Sequence, residues 1–392
     1  MLNYILQQIL NALQLGSVYA LIALGYCLVY GVLLLINFAH GDIFMVGAYI
    51  AFFAATFLMG QHALIPPNAP LAQQIVFAAF FALIATAAVS LLLKRRRAAP
   101  QSTKAASETP GAPITPQRPA RRFGRAPLFA LIFVALTALI YVYGQKVALP
   151  TGQNNIFIFI VAVPLTMLLT SVVGVFIERV AYKPLRLKGA NRLYVVITAL
   201  MAGIILEYGN LSLLGTQRLS FPQLLPTKIF EIGEARISLT KLLAILASLL
   251  VFALLQWIVT KTKLGMAMRA VSYDKFAVPL MGIPLDVVII FTFFLGSSMA
   301  GLAGMLYVTN FPVLDALMGS LIGWKAFVAA VVGGIGEIRG ALVGGFLLAF
   351  LEVTVAAAFS SQLRDLISFA ILLGILTWKP TGLFGKPRTT KI

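Results

Sequence analysis

Residues 9–36 read ILNALQLGSVYALIALGYCLVYGVLLLI, and NFAHGD follows at 37–42. The first stretch contains no charged residue. It exceeds the ~20 apolar residues a helix needs to cross a hydrocarbon core of ~30 Å. Period-2 alternation is absent, so it reads as a helix rather than a barrel strand, the two forms that satisfy every backbone hydrogen bond in lipid. Working outward, further apolar runs lie near 43–58, 73–93, 127–144, 156–177, 193–214, 242–260, 287–309, 321–335, 341–359 and 366–378. Sixty percent of the residues are hydrophobic and 11% charged, against roughly 25% charged in soluble domains. The expected fold is all-α, a polytopic integral membrane helical bundle with about 10–11 transmembrane segments.

The charge is unevenly placed. The net charge is +18, with 30 Lys and Arg against 12 Asp and Glu. Nine basic residues fall in 94–126, five in 179–192, four in 261–275 and four in 379–391. The gaps 59–72, 145–155 and 310–320 hold one basic residue between them, Lys146, while 215–241 is mixed. Basic residues at the ends of apolar spans set orientation rather than forming a nucleic-acid patch, so no nucleic-acid partner is expected. The four basic segments are assigned to the cytoplasm, with the C-terminus inside and the N-terminus outside if every run crosses once. The run 321–335 is short enough to be re-entrant. No basic n-region and cleavage site mark a signal peptide, and the first span is expected to remain in the mature protein. The single cysteine, Cys27, lies in an apolar run and reads as a small buried hydrophobe, with no metal or cofactor expected.

Residues 94–126 carry five prolines and almost no apolar content, which suits a disordered basic linker. Its flanking clusters, 94–97 and 118–125, either bind anionic membrane lipid or only anchor two helix ends.

Ionisable groups at bilayer depth are functional candidates. Asn37, His40 and Asp42 surround Gly41 between two apolar runs. They either form a helix break that lines a pathway or an interfacial turn in which Asn37 and Asp42 cap helix ends. Lys325 and Glu352 lie in successive spans and can pair, or Lys325 can snorkel to the surface. Glu207 is also intramembrane, without an evident partner. Residues 260–286 place Arg269, Asp274 and Lys275 beside Phe276, Val278 and Leu280. That pattern suits a short amphipathic helix lying across another protein, or else a solvated loop. No P-loop, zinc-protease helix or nucleophile elbow occurs, so the chain is not expected to be an enzyme or to hydrolyse nucleotides alone.

Five colinear segments carry a resemblance. They are LGSVYALIALGY at 15–26 with INFAHGD at 36–42, and ERVAYKPLR at 178–186. RAV at 269–271 pairs with LMGI at 280–283, GWKAF at 323–327 with GGIG at 333–336, and KPTGLFG closes the set at 379–385. Together they resemble the LivH-type permeases of bacterial branched-chain amino acid ABC importers. The resemblance implies a multi-pass inner-membrane subunit that passes branched-chain or other small apolar amino acids. It also implies two cytoplasmic ATPase subunits, a second permease subunit and a periplasmic substrate-binding protein. Asn37, His40, Asp42, Lys325 and Glu352 become the expected substrate pathway. Arg269, Asp274, Lys275 and Gly282 become the expected ATPase coupling residues. Against the family pattern, 73–144 reads as an inserted helix pair carrying the linker 94–126, between N-terminal spans in 1–72 and the remaining bundle in 145–392. Family members for urea or short amides, and a stand-alone secondary transporter relaying protons through Glu207 and Glu352, are the alternatives.

Overall fold

The computed structural model describes residues 2–59, 155–226, 228–232 and 235–385. The inserted pair at 73–144, with its linker, lies outside them. The described residues form one unit, drawn from 1–61 and 148–392. In chain order the helices are α1 (Leu2–Leu33), α2 (His40–Leu58), α3 (Asn155–Ile177), α4 (Lys183–Leu187), α5 (Arg192–Leu214) and α6 (Leu239–Lys261). They continue with α7 (Lys263–Tyr273), α8 (Ala277–Leu280), α9 (Leu285–Asn310), α10 (Met318–Gly334), α11 (Ile338–Ala358) and α12 (Arg364–Trp378). A π-helical turn, Glu178–Tyr182, joins α3 to α4. Each of the nine apolar runs within the described residues is a helix. Seven helical stretches there are long and apolar enough to cross a membrane, and this is a multi-pass membrane protein.

Four short strands were not foreseen: β1 (Leu219–Ser220), β2 (Ile229–Ile232), β3 (Ala235–Ser238) and β4 (Val313–Leu314). β1 pairs antiparallel with β4, Leu219 opposite Leu314, and β2 with β3, Ile229 opposite Ser238. They gather at one end of the bundle. There the Gln7 side chain near the start of α1 holds both the N–H and the C=O of Arg236. The opposite end bears the basic segments, where the Lys275 ammonium donates to the carbonyl of Leu33 at the end of α1.

α1, α2 and α9 form the buried centre, whereas α5 and α6 are largely exposed. Lipid provides no hydrophobic drive for helices to associate, so close backbone approach takes over. A β-carbon added to Gly323 of α10 would lie 2.5 Å from the Cα of Gly41 in α2. One added to Gly47 would lie 2.8 Å from the Cα of Gly301 in α9. Gly41 thus sits inside the first turn of α2 as a contact point, and it does not break the helix.

The break lies earlier. Leu34 takes a left-handed φ of 58°, and residues 34–39 are non-helical until α2 begins at His40. His40 sits beside Gly25, eight residues back from the end of α1, or ~12 Å at 1.5 Å per residue. The segment therefore turns back into the bundle before α2 starts. Asn37, His40 and Asp42 are all buried, and no side chain caps α2, so the interfacial capped turn does not form. α10, with 17 residues or ~25 Å of helix, runs from beside β4 to the basic end. There Val332 and Gly333 accept hydrogen bonds from Leu383 and Phe384. The helix is shorter than the seven candidate spans.

Candidate functional site

Lys325 does not snorkel. Its ammonium lies 3.1 Å from Glu352 and 2.7 Å from Asp365. Arg364 completes the cluster, 3.6 Å from Glu352 and 3.2 Å from Asp365, and the Tyr19 hydroxyl donates to Glu352 at 3.1 Å. The two cations and two carboxylates balance, which offsets the desolvation cost that an isolated buried ion would carry. Glu352 lies six residues before the end of α11, ~9 Å from its strand-side terminus, and not at the centre of its span. Arg364, Asp365 and Tyr19 were missed from sequence. Arg364 and Asp365 stand just before the last apolar run and Tyr19 inside the first, with nothing local to show that they converge.

A second cluster surrounds the α1–α2 break. The π turn brings Tyr182 to Asn37, whose Oδ1 accepts its hydroxyl proton at 2.7 Å. The Gly41 N–H donates to the Tyr26 hydroxyl at 3.2 Å. The Tyr26 ring meets His40 edge-on at 4.7 Å, and Phe38, Trp324 and Phe327 stack beside them. Asp42 faces the space left by Gly203 on α5, with Glu207 one turn further along the same face. Asn37 Nδ2 and Asp42 Oδ1 are buried without a hydrogen-bond partner among the described residues. Buried polar atoms left so cost about 1–3 kcal/mol each. Glu207 thus belongs to the Asp42 cluster, while Glu352 is held in the Lys325 cluster. Among the described residues no three His, Cys, Asp or Glu converge as metal ligands do.

At the basic end, buried Glu178 binds Arg186 at 2.9 Å, and Arg186 reaches Asp286 at 3.0 Å, which also holds Lys183. This chain ties α4 to the start of α9. Residues 262–283 fold over that end as α7 and α8. Thr262 caps α7 by accepting the Gly265 N–H, and Met268 and Val271 turn inward. Arg269 donates to the Val259 carbonyl. Asp274 accepts the N–H groups of Phe276 and Ala277, and Lys275 is turned toward Leu33. The charged residues are thus engaged within the chain. The outward surface also carries large apolar residues: Phe276 and Leu280 are each 90% exposed, with Tyr273 and Met281 beside them, next to the exposed Arg269 and Asp274. Val278, grouped with these in the sequence, is buried. Gly282 follows at φ 77° with open space around it.

The family described as "Branched-chain amino acid transport system / permease component" matches residues 8–107 and 121–376. The chain belongs to this family. This permease is 31% identical over 394 residues to the high-affinity branched-chain amino acid transport system permease protein BraD of Pseudomonas aeruginosa, covering 99% of this chain and 98% of BraD. It is 30% identical over 397 residues to the corresponding LivH of Escherichia coli K12, with the same coverage. No solved structure matches it. The matched region of the permease includes both buried clusters and the α7–α8 segment.

Proposed function

We propose that this permease is the membrane subunit of an ATP-driven importer in the bacterial inner membrane. It passes branched-chain amino acids delivered by a periplasmic binding protein. Its partners are two cytoplasmic ATPase subunits and a second permease subunit. The observation that carries this is the exposed apolar surface of Tyr273, Phe276, Leu280 and Met281 at the basic end. Single exposed apolar residues are ordinary, but a cluster of large ones marks a contact surface. Basic flanks support a cytoplasmic position for that end, where an ATPase would dock, and the sequence carries no P-loop motif. The names of BraD and LivH support the cargo class. The decisive experiment reconstitutes the permease with its ATPases, partner permease and binding protein in liposomes. Leucine should be accumulated only with ATP and binding protein present. Accumulation without ATPase subunits would indicate a secondary transporter.

The turn at Gly282 gives one expected result. Proline fixes φ near −65°, incompatible with the observed 77°. Gly282→Pro should insert normally while the ATP consumed per leucine rises several-fold, measured in the same liposomes. An unchanged ratio would remove the turn from the coupling apparatus.

The α1–α2 break gives another. Asn37 and Asp42 hold unpartnered polar atoms at depth, suited to replacing water around the charged ends of an amino acid. Asn37→Leu and Asp42→Leu should lower maximal leucine uptake about tenfold or more, equivalent to ~1.4 kcal/mol at the barrier. Apparent affinity, set by the binding protein, should change little. Normal rates in fully assembled variants would exclude the break from the pathway.

A further inference from the structure

A cavity of about 630 Å³ opens at the strand-bearing end, between α1, α6, α9, α10, α11 and α12. Small-molecule sites commonly occupy roughly 300–1,000 Å³. Four cations line it: Arg218, Lys241, Lys325 and Arg364. Three of them are matched by acids. Arg218 pairs with Asp315 at 3.1 Å, and Lys325 and Arg364 share Glu352 and Asp365. Lys241 is the remaining one. Its ammonium donates to the neutral Asn11 Oδ1 at 2.9 Å, and it forms no ion pair among the described residues. Four cations against three carboxylates leave one positive charge in the wall, and it resides on Lys241.

The rest of the wall is of opposite character. Leu15, Phe311, Leu321, Ile322 and Val353 supply an apolar surface beside the charged groups. A ligand that satisfies both carries a carboxylate at one end and a short aliphatic tail at the other. We infer that this cavity is a receiving site for the cargo, with Lys241 anchoring the carboxylate of an aliphatic amino acid and the apolar wall accepting its side chain. The site deepens the importer function proposed above and rests on it for the identity of the cargo. Lys241 is half-buried, so its attraction for an anion is less screened than at an open surface. One ammonium holding one carboxylate gives a weak site, which a transport route requires because it must release what it admits.

The test uses the full assembly in nanodiscs, without ATP or binding protein, and ligand-observed NMR titrations with three probes. Leucine has both charged ends, isovalerate has the carboxylate without the ammonium, and leucinamide has the ammonium without the carboxylate. Leucine and isovalerate should bind at least tenfold more tightly than leucinamide. Lys241→Gln should weaken both to the leucinamide level, and Lys241→Arg should stay within threefold of the parent. Equal binding of leucine and leucinamide, or Lys241→Gln binding like the parent, overturns the site. Should Lys241→Gln fail to assemble, Leu321→Trp decides: filling the cavity must abolish binding of all three probes, and unchanged binding overturns the proposal. Leucine uptake by the parent assembly separates the two levels. Lys241-dependent isovalerate binding without uptake removes the importer function and leaves the cavity standing. Normal uptake with Lys241-independent binding removes the cavity alone.

Discussion

Lys325→Met is expected to destabilise the bundle by about 3–5 kcal/mol, because removing one partner strands a buried charge. Glu352 is fully buried. Without Lys325 it keeps only the Arg364 guanidinium at 3.6 Å and the Tyr19 hydroxyl at 3.1 Å. The same loss leaves Asp365 with Arg364 alone. Lys325→Met combined with Glu352→Gln restores neutrality and spares the Arg364–Asp365 pair. That double variant should recover at least half of the lost stability. Thermal unfolding of the purified protein in detergent, read as a double-mutant cycle, measures the coupling, expected at about 2 kcal/mol or more. If Lys325→Met melts like the parent, the cluster is not what holds α10, α11 and α12 together.

The paired replacement Phe276→Ser and Leu280→Ser should abolish ATP-driven uptake without affecting insertion. Burying each of these side chains against a partner is worth about 1.5–3 kcal/mol. Losing both weakens association by more than a hundredfold, at 1.4 kcal/mol per tenfold. Because both side chains are 90% exposed in the chain itself, their loss should leave its own melting temperature unchanged. Size-exclusion chromatography of the solubilised assembly would show the ATPase subunits separating from the permease. Co-elution of an intact assembly would place the docking surface elsewhere.

Helix positions were legible because continuous apolar runs admit one solution in lipid. The Lys325–Glu352 pair was legible for a related reason: isolated charges in adjacent spans have few other ways to be compensated. Direction was harder to read. The break was expected around Gly41, yet it falls at 34–39, where Leu34 takes a left-handed conformation that leucine rarely adopts. Gly41 instead serves contact with Gly323. Around 260–286 the charged and apolar residues were legible, but not that Val278 is buried while Phe276 and Leu280 are exposed. Arg269 stays exposed while donating to the Val259 carbonyl, and the half-buried Lys275 donates to that of Leu33. Which side chain is covered depends on what tertiary packing brings nearby, and local pattern does not encode that.

The glycine contacts of α2 have a mechanical corollary. Where Gly41 meets Gly323 and Gly47 meets Gly301, the touching surfaces are backbone on backbone. At these two points no knob sits in a hole. Interdigitated leucines would act as teeth; these seams act as bearings. A short axial slide of α2 meets little resistance from them, as in shear motions between closely packed helices. Register is held instead at the start of α2, where the His40 ring fills the space beside Gly25 and Asp42 that beside Gly203.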